Sequence, residues 1–256
     1  MPDKPDEFYV GYLPMPAGDR RFIKAAIFTL VLSMLGIAAI LVLTMRDPGD
    51  ARWETGKVQS WSGVLLEHPY PMLVPENQKS SALFVISMGK RGAHDRLSAH
   101  FGKKVTLSGY ELSRDGRRLI ELLDTPDAIE PLESVSPSPK GEMNHIKHTI
   151  LTGEIVDGKC YLGAMKPGDG MGHQSCAALC IKGGLPPMFV ANTDEGDLVY
   201  YLLLIDGSTQ LPDHILAMLG RPVTIEGDIA MMQGIPILQT TASLVTRSDP
   251  FAISNP

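Results

Sequence analysis

The chain has 256 residues, 44% hydrophobic and 20% charged, ordinary values for a folded globular protein. Its net charge of −6 excludes the cationic footprint that nucleic-acid binding needs, so no nucleic-acid partner is expected. The 25 glycines and 20 prolines point to many turns and short strands.

Residues 1–24 read as a cytoplasmic tail and residues 25–45 as a transmembrane helix. The 25–45 run carries no charge. At about 1.5 Å of rise per residue it crosses a hydrocarbon core of roughly 30 Å. A cleaved signal peptide would have a shorter apolar region, about 7–15 residues, and a small-residue cleavage site. Here the run ends in Leu43-Thr-Met-Arg46-Asp47-Pro48. Phe22 follows Arg20-Arg21 one place too early for a twin-arginine signal. An uncleaved signal anchor is the reading. Arg20, Arg21 and Lys24 precede the span and Arg46, Arg52 and Lys57 follow it, three cations on each side, but the first three are denser and abut it, whereas Arg46 is followed by Asp47 and Asp50. Cations close to the span weigh most, which puts the N-terminus in the cytoplasm. The chain is thus expected in a bacterial inner membrane, single-pass, with its bulk in the periplasm. Phe8-Tyr-Val-Gly-Tyr-Leu-Pro14 in the tail reads as an interfacial aromatic segment.

The rest reads as two copies of one small β-domain. Trp61-Ser-Gly63-Val-Leu-Leu-Glu-His-Pro-Tyr70 aligns with Leu151-Thr-Gly153-Glu-Ile-Val-Asp-Gly-Lys-Cys160 at an offset of 90. Phe84-Val-Ile-Ser-Met-Gly89 aligns with Leu202-Leu-Leu-Ile-Asp-Gly207 at an offset of 118. Phe101-Gly-Lys-Lys-Val105-Thr-Leu-Ser-Gly109 and Asp115-Gly116 match Leu219-Gly-Arg-Pro-Val223-Thr-Ile-Glu-Gly227 and Gln233-Gly234 at that same offset. The second copy therefore carries 28 extra residues after its first block. Each copy has a strand around a Gly, an apolar strand ending in Gly, a short helix, an alternating strand and a hairpin turn into a last strand. Five short strands with a helix before the last pair predict two OB-like small barrels in a mainly β fold. The first spans 52–124 and the second 150–247. Residues 125–149, with Ser136-Pro-Ser-Pro139, have linker composition. The insertion, 161–188, is expected to project from the second barrel.

Leu211-Pro212-Asp213 followed by Gly220-Arg-Pro-Val223-Thr-Ile-Glu-Gly227 resembles the periplasmic haem chaperone of cytochrome c maturation, a membrane-anchored OB-fold family. The resemblance implies the architecture. The His-x-x-x-Tyr haem-attachment segment of that family has no counterpart in the tail Ser248-Asp-Pro-Phe-Ala-Ile-Ser-Asn-Pro256, so haem chemistry does not carry over.

The three cysteines of the chain, Cys160, Cys176 and Cys180, cluster around the insertion with His173. A helix is predicted over 174–182, stopped by Gly183-Gly184. Cys176 and Cys180 then share one face. His173 and Cys180 are seven apart, about 10.5 Å of rise on a straight helix, so one metal takes both only if His173 lies in the loop before the helix. Three readings compete. Cys160 forms a disulfide with Cys176 or Cys180, natural in an oxidising compartment. Alternatively Cys160, His173, Cys176 and Cys180 hold a metal, copper or zinc by the softness of thiolates, with Met165 and Met171, and Met188 nearby, as further thioether donors or plain packing residues. The third reading is a redox-active thiol pair, although no Cys-x-x-Cys is present. Asp157 and Lys159 read as an exposed charged strand end, and His145 and His148 as exposed linker histidines. No covalent-haem, Rieske, Walker, nucleophile-elbow or zincin motif occurs.

The functional expectation is a non-catalytic, membrane-anchored accessory protein. It handles a metal or cofactor, or serves as a tethered subunit, for a membrane or periplasmic oxidoreductase. An interaction module with a structural disulfide and a thiol-disulfide oxidoreductase are the alternatives.

Overall fold

The computed structural model describes residues 17–45, 49–76, 81–132, 143–192 and 198–248. The aromatic segment 8–14 and the Pro/Ser run 136–139 lie outside them. The chain divides into two compact units, 1–47 and 48–256. In the first, helix α1 (Ala17–Thr44) starts ahead of the uncharged run and takes Arg20, Arg21 and Lys24 into its opening turns. None of its residues is buried. It is long and apolar enough to span a membrane.

The second unit is mainly β and holds two closed five-stranded barrels. The first uses β1 (Gln59–Leu66), β2 (Met72–Pro75), β3 (Leu83–Ser87), β4 (Lys104–Arg114) and β5 (Arg117–Leu122). They close in the order β1–β2–β3–β5–β4–β1, with β3 and β5 parallel and every other pair antiparallel. The second uses β6 (Asn144–Asp157), β7 (Pro187–Asn192), β8 (Leu198–Ile205), β9 (Pro222–Met232) and β10 (Ile235–Thr240). It closes in the same order, β6–β7–β8–β10–β9–β6, with β8 and β10 parallel. A short helix precedes the fourth strand in each: α2 (His94–Leu97) in the first barrel, Asp213–Leu216 in the second.

The aligned sequence blocks occupy matching places. Gly63 pairs with Val105 and Gly153 with Val223. Phe84 pairs with Leu119 and Leu202 with Ile237. A Cβ on Gly109 would stand 2.2 Å from the Glu121 carbonyl oxygen, and one on Gly227 would stand 2.3 Å from that of Gln239. The fourth strand thus needs glycine at the same point in each barrel, where a neighbouring backbone crosses too close for a side chain. Asp115-Gly116 and Gln233-Gly234 turn their hairpins with positive φ at both residues, as a two-residue type I′ loop requires.

Each barrel has its own interior. Leu65, Leu73, Val85, Leu107 and Ile120 fill the first; Ile155, Phe189, Leu203, Ile225 and Leu238 fill the second. A further cluster lies between them. It joins Leu66, Met72, Phe84, Ile86 and Leu119 of the first barrel to Val156, Met188, Tyr200, Leu202 and Ile237 of the second. The period of two explains the division. Along β3, Leu83 and Val85 point inward, while Phe84 and Ile86 face the other barrel; along β8, Leu203 and Ile205 alternate with Leu202 and Leu204 in the same way. Both faces of these strands are buried, which is why they read as unbroken apolar runs.

Three segments differ from the sequence reading. Residues 126–131, expected in the linker, form a 3₁₀ turn and a short strand paired with β4. Residues 144–149 belong to β6 rather than to a linker, and His148 bonds Asp228 of the neighbouring β9 at 2.9 Å. The insertion does not project. It fills the space between the barrels, because its apolar residues Tyr161, Leu162, Cys180 and Leu185 complete the shared cluster.

The shared cluster makes the barrels one cooperative unit. Leu202→Ala should lower the stability of the full chain by about 2–5 kcal/mol while leaving a single transition. Fluorescence from Trp53 and Trp61, outside the second barrel, should then coincide with far-ultraviolet circular dichroism during denaturation. Two separated transitions would mean that the barrels unfold independently.

Candidate metal centre

The site starts where β6 stops. Asp157, its last residue, is fully buried. Its Oδ1 accepts the backbone N–H of Cys160 at 2.8 Å, which curls the chain into a wide helical turn over Cys160–Ala164. The chain then runs back across the barrel, where the Gly170 N–H donates to Glu154 Oε1 at 2.6 Å. A 3₁₀ turn, Met171–His173, leads into helix α3 (Gln174–Lys182), whose bounds are those expected from sequence. His173 therefore lies ahead of the helix.

The end of α3 docks on the first barrel. Gly183 accepts the Gly92 N–H at 2.8 Å, and Gly184 accepts the Tyr70 hydroxyl at 2.7 Å. A Cβ on Gly183 would stand 1.8 Å from the Lys90 carbonyl oxygen, so only glycine lets the two backbones meet there.

This folding brings the three thiols together. The sulfurs of Cys160, Cys176 and Cys180 lie within 4.8 Å of one another, and all three are free thiols. Cys160 and Cys180 are buried; Cys176 is half-exposed. A second group shares Cys160: its sulfur and one ligand atom each of Asp157 and His173 also lie within 4.8 Å of one another. His173 thus approaches Cys160 but belongs to the Asp157 side, its Nε2 standing 3.0 Å from Asp157 Oδ2. The thioethers divide. Met165 and Met171 are exposed at the surface, 46% and 60%, while Met188 is buried in the shared cluster.

The electrostatics follow from these contacts. Hydrogen bonding to Cys180, with burial and the Asp157 charge behind it, pushes the Cys160 thiol far up. The same bond, donated by Cys160, pulls the Cys180 thiol below its usual value. Lys90 of the first barrel donates from Nζ to Cys176 Sγ at 3.3 Å, and that bond raises the lysine. His173 is raised by its bond to Asp157.

Asp157 and Lys159 are not an exposed strand end: both are buried. Lys159 pairs with Glu121, donates to the Gly89 carbonyl at 2.7 Å and lies 5.3 Å from the centre of the Trp53 ring. This buried ion pair ties the residue before Cys160 to the first barrel. Arg114 adds a second tie, 4.0 Å above the Tyr161 ring. Sequence reasoning missed Lys90, Glu121 and Arg114 as neighbours of the site. Glu121 had a signal, a lone acid within Leu119-Ile120-Glu121-Leu122-Leu123. Lys90 had none, because only the packing of the barrels brings it to Cys176.

No protein-family model, curated protein or solved structure matches the chain.

The raised His173 fixes a pH dependence. A histidine held above its unfolded value stabilises the fold fully below about pH 6.5, and that contribution disappears as pH rises through the folded value. In metal-free protein, the stability advantage of wild type over His173→Gln should be largest near pH 6 and shrink steadily towards about pH 9. Denaturation midpoints measured across that range check it; an advantage that grows with pH would contradict the imidazolium–carboxylate pair.

Proposed function

We propose that this chain is a membrane-anchored accessory protein that binds one soft metal ion, copper or zinc, through Cys160, Cys176 and Cys180. One observation carries the reading: three free thiols, one from the turn after β6 and two from α3, converge within 4.8 Å of one another. Metal–sulfur bonds of about 2.3 Å in a tetrahedral site put sulfurs roughly 3.8 Å apart, which this convergence accommodates. The Cys180 thiol is pulled below its usual value, Cys160 is pushed up and Cys176 meets a cation; a bound metal would take the place of the Cys160 proton. His173 approaches Cys160 from the Asp157 side, with its Nε2 bonded to Asp157.

The barrels are read as OB-like, supported by their 1-2-3-5-4-1 closure and the helix before the fourth strand. Their matching strand positions support a duplication. The insertion distinguishes the second copy and forms the site, which fits a specific acquired role. The reading is of a protein that holds or passes on a metal for a membrane or periplasmic oxidoreductase. The tight Arg20/Arg21/Lys24 block beside the span supports an N-terminus in the cytoplasm and a body in the periplasm.

A thiol-redox role is the second reading, favoured by the hydrogen bond between the Cys160 thiol and the Cys180 sulfur. Metal content separates the two. Protein purified without oxygen should carry stoichiometric metal by elemental analysis. Cys160→Ser, Cys176→Ser and Cys180→Ser should each lose most of it. Metal-free protein with a readily oxidised Cys160/Cys180 pair and an indifferent Cys176 would favour the redox reading instead.

Topology has its own test. A reporter active only in the periplasm, fused after Pro256, should be active, and the mature chain should retain its N-terminus. A silent fusion would reverse the compartment.

A further inference from the structure

We infer that the three-thiol site takes monovalent copper with sulfur ligands alone, and that Lys90 of the first barrel is the residue that keeps it from becoming a four-coordinate zinc site. The inference rests on the metal reading above and deepens it.

The donor set comes first. The ligand atoms that gather around one point are the three cysteine sulfurs. Asp157 and His173 form their own group, which includes Cys160 but neither of the other two thiols. Both are engaged. Asp157 uses one oxygen on the Cys160 amide and the other on His173. Recruiting Asp157 breaks a buried hydrogen bond, which is costly, and His173 is grouped with Cys160 but not with the other two sulfurs. Structural zinc sites are almost always four-coordinate. Monovalent copper favours soft thiolates and carries no such requirement.

Lys90 adds the second observation. It reaches the site from the turn between β3 and Arg91–Gly92 in the other barrel, and its Nζ stands 3.3 Å from the sulfur of Cys176, the half-exposed thiol. An ammonium has three protons and no lone pair, so it cannot serve as a ligand. It does offset charge. Three thiolates around a monovalent ion leave two negative charges, and a cation hydrogen-bonded to one sulfur removes one of them. Lys90 is itself exposed, and its bond to Cys176 favours its charged form. Its backbone is held where its carbonyl abuts Gly183 at the end of α3. The open side of the thiol cluster is thus guarded by a group that favours a low-charge metal and supplies no fourth donor.

The experiment uses the full chain in detergent, reduced and oxygen-free. Cu(I) is titrated against a competing Cu(I) chelator, Zn²⁺ separately against a zinc indicator, and the metal-loaded forms are examined by X-ray absorption. The wild type should show Cu(I) with three sulfur neighbours and no nitrogen, and should hold zinc only weakly. Lys90→Gln should loosen Cu(I) about tenfold, the scale of one charge-assisted hydrogen bond. Lys90→Glu points a carboxylate on a longer side chain towards Cys176 and should tighten zinc at least about tenfold. Because Lys90 is exposed, both variants should retain the wild-type melting temperature. Zinc bound by four protein ligands in the wild type would overturn the inference. So would nitrogen in the copper shell, or unchanged affinities in both Lys90 variants. A chain with all three cysteines changed to serine that takes up as much Cu(I) as wild type would defeat the metal reading itself.

Discussion

A single apolar layer between the two barrels sets the rest of the structure. A small closed barrel normally buries one face of each strand and leaves the other to water. Here β3 and β8 bury both. Phe84 and Ile86 on one side meet Tyr200, Leu202 and Ile237 on the other, in one cluster with Met72, Leu119 and Met188. Burial of apolar area is non-directional, so it brings the barrels together without specifying how they are rotated. Directional contacts at the rim supply that. The Tyr200 hydroxyl donates to Asp115, Arg114 lies over Tyr161, and the Ala82 N–H donates to the Gln233 carbonyl.

The insertion lies in this layer, which explains the chemistry of its residues. A charged residue buried beside an apolar cluster must be paired. Lys159 meets Glu121, and His173 meets Asp157. Each pair anchors a neighbour of Cys160: Lys159 precedes it in sequence, and Asp157 accepts its amide. The turn that carries Cys160 is therefore held by a buried ion pair and a buried histidine–carboxylate hydrogen bond. Cys180 is fixed from α3, whose far end is fastened to the first barrel through Gly183 and Gly184. Cys176, on the outer side, remains accessible and meets Lys90. Two of the sulfurs are buried and one is half-exposed, so the cluster faces solvent at Cys176.

The location also gives the site a structural consequence. Lys90 and Glu121 belong to one barrel, while the thiols and Lys159 belong to the other. A charge at the sulfurs therefore faces a cation supplied by the other barrel. A site confined to a projecting loop would not be coupled to the fold in this way.

Much of this was legible in the sequence. The uncharged run 25–45, the offsets of 90 and 118, the glycines at 109 and 227, and the helix 174–182 are local patterns. They depend on hydrophobic periodicity and on backbone conformations that few residues tolerate, so they survive without knowledge of the neighbours. The cysteine spacing likewise pointed to convergence of the thiols, since a strand end and one helix face joined by a short connection have few ways to arrange themselves. What sequence could not decide was which surfaces were left for water. Phe84-Val-Ile and Leu202-Leu-Leu-Ile read as strands, but nothing local says that their second face meets another barrel. Asp157 and Lys159 look like a solvated strand end until that barrel covers them. Lys90 is distant from the cysteines in the chain and adjacent to one of them in space. Local propensity acts over a few residues, whereas burial, charge pairing and the identity of the group beside a thiol are set by contacts between segments far apart in the chain, and these exist only once both barrels have closed and packed together.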